Sequence, residues 1–138
     1  MPLILHVRDA AMDSLSILEE SGINPYHLLH FHCWMEGDPQ LVFSILQKYP
    51  NAFIGLTNAV GFHKNHELQQ LVKLLPAERL VLETDAPFFR AGQSYSVPQN
   101  LTLVANTVAQ LKNRSLSDIC VTNLNNCKSL YPQFFLKS

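Results

Sequence analysis

The sequence predicts an α/β fold of TIM-barrel type: about four βα units, half of a (β/α)8 barrel, followed by a C-terminal helix. Three observations predict it. Short apolar runs rich in β-formers alternate with stretches of helical periodicity along the whole chain. Those runs are apolar almost throughout, as expected when both faces of a parallel sheet are covered. Residues able to carry chemistry stand at or near the end of successive runs, with His6, His32, Thr57 and Asp85 spaced by 26, 25 and 28 residues. A complete barrel takes roughly 200–250 residues, and this chain has 138.

The elements follow in order. Leu3 to Val7 is the first strand, and Arg8-Asp9 opens a helix carrying Met12, Leu15 and Leu18, with Gly22 where it stops. Leu28 to Trp34 is the second strand. Asp38-Pro39 then supplies an N-cap acid and a proline suited to the first helical position. Leu41, Val42, Ile45, Leu46 and Tyr49 form one helical face, ended by Pro50. Ala52 to Leu56 is the third strand, and Leu68, Leu71, Val72 and Leu75 mark a short helix before Pro76. Leu80 to Glu83 is the fourth. A loop from Ala86 to Pro98 leads to a helix with Leu101, Val104, Val108 and Leu111 inward. Ser115-Leu116-Ser117-Asp118 resembles a capping box opening a last helix that runs towards Leu130. An open four-stranded α/β sheet competes with the half-barrel. A flavodoxin-like fold needs a fifth strand, and no glycine-rich phosphate loop is present.

Hydrophobic residues make up 47% of the chain and charged residues 15%, a globular composition of one-domain length. No apolar run approaches the roughly 18 residues that span a bilayer, so no membrane partner is expected. Met1 to Leu5 lacks a basic n-region, so no signal peptide is expected. Ten Lys+Arg against eleven Asp+Glu exclude a global basic field for nucleic acid, though not a local groove. Three cysteines without a C-x-x-C pair argue against a disulfide framework and for an intracellular, cytoplasmic or nuclear setting.

In parallel α/β folds the carboxyl ends of the strands line the site. His6, His32 and Asp85 occupy three such positions with metal-competent groups. Arg8 shares a face with His6, and Glu83 with Asp85, being two apart. His30 sits one layer below His32, where it would support a ligand. Taken singly, each has a plainer account: a lone strand-end histidine is often a core residue, and Asp85 before Ala86-Pro87 suits an Asx turn. Trp34 and Phe88-Phe89 flank the same end, either stacking on bases or anchoring loops. Cys33 faces away from His32 and is expected to pack. Cys120 and Cys127 are expected to pack on the closing helices, and His63 and His66 to lie at the surface.

Several segments resemble the TatD-type deoxyribonucleases, metal-dependent hydrolases on a TIM barrel. Pro2-Leu3-Ile4-Leu5-His6-Val7-Arg8-Asp9-Ala10 is similar to the family's P-x-x-x-H-x-R-x-A segment. His32-Cys33-Trp34 resembles its His-Cys-Phe, and Leu82-Glu83-Thr84-Asp85-Ala86-Pro87 its L-E-T-D-A/S-P. Asn126 to Tyr131 resembles the closing helix, and the chain looks closest to the animal TatD-domain-containing branch. The resemblance implies that 1–138 is one partial hydrolase domain holding strands five to eight. It implies that His6 and His32 help bind one divalent ion (Mg, Mn or Zn), that Asp85 binds another and serves as general base, and that Glu83 supports them. The implied reaction is hydrolysis of phosphodiester bonds in single-stranded DNA or RNA. Arg8, Arg90 and Lys64 are the candidates for phosphate contacts.

The family's H-x-H strand and bridging Glu have no counterpart here, and the Asn of its R-x-x-N-x-P is missing after Arg90. The isolated chain is therefore expected to bind metal weakly and to risk inactivity. A half-barrel exposes two strand edges, which predicts a homo-oligomer or pairing with the missing half. The alternative is a non-catalytic truncated or splice-variant module that binds a partner or nucleic acid. A zinc-dependent amide hydrolase would keep the same ligands with another substrate.

Overall fold

The computed structural model describes residues 1–89 and 94–136. Four strands, β1 (Leu3–His6), β2 (Leu29–His32), β3 (Ala52–Leu56) and β4 (Leu80–Leu82), form one sheet in the order β1-β2-β3-β4. Every pairing is parallel, and the register sets His6 opposite His32, Phe31 opposite Ile54 and Leu56 opposite Leu82. A doubly wound open sheet reverses its strand order at a switch point. This sheet never does. With right-handed crossovers, an unreversed order sends every connecting helix to the same face, which is how a (β/α) barrel is built. The half-barrel is therefore the architecture, and the open-sheet alternative falls.

The helices are α1 (Ala11–Glu20), α2 (Pro39–Lys48), α3 (His66–Leu74), α4 (Leu101–Lys112) and α5 (Leu116–Leu130). Asp38 caps α2 by accepting the Gln40 N–H at 2.9 Å, and Ser115 caps α5 by accepting the Asp118 N–H at 3.1 Å. Both caps are where the sequence placed them. Strand ends differ from expectation by one or two residues. β2 stops at His32 rather than Trp34 because Cys33 turns to a φ of 52°. Trp34 is then a core residue, 2% exposed, its ring edge-on to Phe31 at 5.7 Å.

Strand alternation divides the sheet into two faces. Leu29, Phe31, Ala52, Ile54, Leu56 and Leu80 face the helix layer and join Val42, Ile45, Leu71, Val72, Val104 and Val108 in the main core. Each fully buried aliphatic side chain there contributes about 1.5–3 kcal/mol. His6, His30, His32, Phe53, Gly55, Val81 and Glu83 line the other face, the barrel interior.

The last helix departs from expectation. α5 passes round the outer edge of β4 instead of lying only in the helix layer. Ile119 joins the main core, while Leu130 and Tyr131 pack with Phe53 and Val81 on the interior face. Between them, Asn123 Oδ1 accepts the Leu82 N–H at 2.9 Å. Asn126 Nδ2 donates to the carbonyls of Ala77 at 2.8 Å and Leu80 at 2.6 Å. These side chains satisfy backbone groups that a neighbouring strand would otherwise bind. So the expectation of two open edges is corrected. The β4 edge is covered by α5, whereas on β1 Leu3 and Ile4 stay exposed. Cys127, on α5, packs against the cluster of Phe53, Val81 and Leu130 as expected, but Cys120, beside the buried Ile119, is exposed. Among the described residues no helix is long and apolar enough to cross a membrane.

Candidate metal centre

The register of β1 with β2 sets His6 beside His32, with ring centroids 5.4 Å apart. The turn after β4 brings Asp85 to the same place, and its φ of 49° is a left-handed conformation that aspartate tolerates better than most residues. His32 Nε2 lies 3.5 Å from Asp85 Oδ1. Two ligands of one ion bonded at about 2.0–2.2 Å stand about 3.0–3.5 Å apart, so this separation fits a shared divalent ion. His6, Arg8, His32, Asp85, Phe88 and Phe89 line one cleft of about 520 Å³.

Glu83 organises this end of the sheet. Its Oε2 accepts from His32 Nδ1 at 2.6 Å, and its Oε1 accepts the Cys33 N–H at 2.6 Å. The carboxylate is the acceptor there, so a His32 proton sits on Nδ1, and Nε2 faces Asp85, a carboxylate that its lone pair meets unfavourably unless a cation stands between them. That is the tautomer a metal ligand requires, fixed by a supporting carboxylate. The peptide after His32 is tied to the same group, which holds Cys33 in its left-handed turn. Gly55 completes the arrangement: a Cβ there would sit 2.7 Å from His30 Nε2 and 2.9 Å from Glu83 Cδ. Only a glycine leaves room for both side chains.

Below this layer His30 Nδ1 meets the Tyr131 hydroxyl at 2.6 Å, while His30 Nε2 is buried with no hydrogen-bond partner among the described residues, 3.8 Å from Glu83 Oε2. Burial pushes the His30 pKa down against the opposing pull of Glu83, and burial pushes the Tyr131 hydroxyl up. Both groups are therefore neutral near pH 7. Ligand-capable atoms of His30, His32 and Glu83 all lie within 4.8 Å of one another, a second donor group. In it, however, His32 Nδ1 and Glu83 are already spent on each other. The donor set with a free lone pair and an adjacent carboxylate is the upper one.

His6, Arg8, His32 and Asp85, all expected at the site, are thus brought together. Lys64 is not: it lines a separate cleft with Met35, Gly37 and Glu67. Arg90 lies outside the described residues. His63 and His66 are exposed, as expected. Cys33 is buried with Sγ 3.9 Å from Thr57 Oγ1, and burial pushes its thiol up to about 11. It packs rather than ligates. Phe88 is largely exposed on the cleft wall, and Phe89 packs on Phe62 at 6.3 Å between centroids. Tyr131 is the participant the sequence did not disclose.

Residues 1–132 match the family model described as TatD related DNase. The chain is 28% identical over 136 residues to the human 3'-5' RNA nuclease TATDN2, covering 94% of this chain and 18% of that protein. It is 29% identical over 136 residues to the metal-dependent hydrolase YabD of Bacillus subtilis, covering 95% and 51%. To the 3'-5' ssDNA/RNA exonuclease TatD of Erwinia tasmaniensis it is 27% identical over 139 residues, covering 95% and 52%. Among solved structures, YJJV, a TatD homologue from Escherichia coli, superposes with a TM-score of 0.83 at 23% identity, over 96% of this chain and 50% of that one. The TatD family hydrolase of Entamoeba histolytica gives 0.80 at 22%, over 95% and 50%. These two likenesses show the fold. The chain spans about half the length of the bacterial relatives and of both solved structures.

Proposed function

This chain belongs to the TatD related DNase family, and on that premise we propose that it forms strands five to eight of a metal-dependent hydrolase of nucleic-acid phosphodiester bonds. The observation that carries the proposal is the placement of His6, His32 and Asp85 on one cleft, with His32 held by Glu83 in the tautomer that frees Nε2. Their N/O donor set suits Mg, Mn or Zn. A divalent ion held there supplies Lewis acidity, lowering the pKa of a water molecule and offsetting phosphate charge.

The chain's own residues do the rest. Asp85, facing the cleft, accepts the proton of the attacking water. Arg8, exposed on the same wall, donates to a phosphate oxygen. Phe88 offers an exposed ring on which a base of single-stranded DNA or RNA stacks. The relatives' names support a nucleic-acid substrate, because TATDN2 is named an RNA nuclease and the Erwinia protein an ssDNA/RNA exonuclease. Lys64 has no part in this scheme, since it lines another cleft. The exposed Ile4 on β1 also favours assembly at that edge, with a second copy or with the other half of the barrel.

The test is cleavage of an end-labelled single-stranded oligonucleotide by the purified chain with Mg²⁺ or Mn²⁺, with chelator, and beside Asp85→Asn. Chelator-sensitive cleavage lost in Asp85→Asn supports the proposal. Cleavage that appears only when the chain is paired with the other half of a barrel also supports it. No cleavage by the folded chain either alone or so paired overturns it in favour of a non-catalytic binding module, and equal cleavage by the variant overturns the role given to Asp85.

A further inference from the structure

The interior face holds a line of contacts that the scheme above does not use. It begins at Tyr131, just after α5, and runs to His32 beside Asp85. The Tyr131 hydroxyl is 2.6 Å from His30 Nδ1. His30 Nε2, with no other partner among the described residues, stands 3.8 Å from Glu83 Oε2. Glu83 Oε2 is 2.6 Å from His32 Nδ1, and His32 Nε2 is 3.5 Å from Asp85.

We propose that Tyr131 and His30 are positioning residues that hold Glu83, and through it His32, in the geometry needed to bind a divalent ion. This deepens the metal-site reading and rests on it. The chemistry of each atom sets the direction of the line. A neutral imidazole has one N–H and one lone pair. If His30 Nδ1 carried the proton, its Nε2 lone pair would face the carboxylate and repel it. If the Tyr131 O–H donates to Nδ1, the proton lies on Nε2 and faces Glu83 favourably. The second arrangement leaves no like partial charges opposed. The residual gap of 3.8 Å is longer than a hydrogen bond and too short to hold a bridging water. The interaction is therefore electrostatic, with closure to a bond requiring a shift of under 1 Å.

Two further observations support the assignment. His30 is 7% exposed, so its orphaned nitrogen has no solvent to turn to. Gly55 opposite leaves its Cβ space to these two side chains, which supply the three nearest atoms. The line also makes α5 part of the site. Leu130, fully buried on Phe53 and Val81, fixes the helix end from which Tyr131 reaches inward.

The experiment uses the metal-free chain first. Two-bond ¹H–¹⁵N spectra of the imidazoles report which nitrogen carries the proton in each histidine. The wild type is expected to show His30 as the Nε2–H tautomer and His32 with a proton held on Nδ1. Tyr131→Phe keeps the ring and its packing but removes the hydroxyl. It is expected to leave the circular dichroism spectrum unchanged, to mix the His30 tautomers and to loosen that of His32. Co²⁺ is then added to both proteins. The variant is expected to bind about tenfold more weakly, with an altered visible d–d spectrum. An Nδ1–H tautomer at wild-type His30, or unchanged His30 and His32 tautomers in Tyr131→Phe, overturns the proposal. Correct tautomers in a chain that binds no Co²⁺ would overturn the metal reading instead, so the two failures are distinguishable.

Discussion

Gly55→Ala is the substitution whose consequence the structure fixes most tightly. Gly55 lies inside β3 and its φ is outside the left-handed region, so the backbone itself accepts alanine. On propensity alone the change would stabilise the strand by roughly 0.5–1 kcal/mol. The new methyl, however, would meet the Glu83 carboxylate and His30 Nε2, the latter at 2.7 Å. Glu83 must swing away, giving up its bonds to His32 and to the Cys33 N–H. Hydrogen bonds to a charged group contribute about 1.5–3 kcal/mol each. Glu83 is 18% exposed, so water recovers part of that. The expected net loss is about 2–4 kcal/mol. Urea unfolding of the wild type, Gly55→Ala, Glu83→Ala and the double variant measures it as a cycle. In the Glu83→Ala background only the contact with His30 Nε2 remains, so the penalty should shrink, giving a coupling of about 2 kcal/mol. A penalty under about 0.5 kcal/mol in the wild type, or one equal in both backgrounds, would refute the reasoning.

Further outcomes follow from the same contacts. Asn126→Ala removes the amide that donates to the Leu80 carbonyl and, beside the Leu80 N–H, to the Ala77 carbonyl at the β4 edge. It should destabilise the fold by about 1–3 kcal/mol in urea unfolding and raise the tendency to self-associate in light scattering. Leu130→Ala empties a fully buried position under α5. The expected cost is about 2–4 kcal/mol, with Tyr131 released from His30 and its hydroxyl shift altered in NMR. In thiol labelling at pH 7.5, Cys120, which is exposed, should react first. Cys33, buried and with its thiol pushed up to about 11, should stay unmodified until the chain unfolds.

The strands were legible because buried parallel strands are written as short apolar runs, and the caps because Asp38 and Ser115 stand directly before helical periodicity. His6, His32 and Asp85 were legible because the carboxyl ends of such strands share one layer, so regular spacing in sequence becomes proximity in space. The path of α5 was not. Leu130 announces burial, but nothing local says which face of the sheet buries it. The Tyr131–His30 contact joins residues 101 apart and depends on that path. Cys120 was misjudged because one position along a helix from Ile119 turns a side chain by about 100°. Lys64 stands apart, on a second cleft, because the reach of a loop lysine is set by where the loop folds back.

The most direct test of the metal centre is a Mn²⁺ titration followed by electron paramagnetic resonance, on the wild type, His6→Ala, Asp85→Asn and His30→Gln. Binding by the wild type that weakens at least about tenfold in His6→Ala and in Asp85→Asn, and less in His30→Gln, is the predicted result. Unchanged affinity in His6→Ala and Asp85→Asn, with binding abolished in His30→Gln, would contradict it and move the ion to the deeper group of His30, His32 and Glu83.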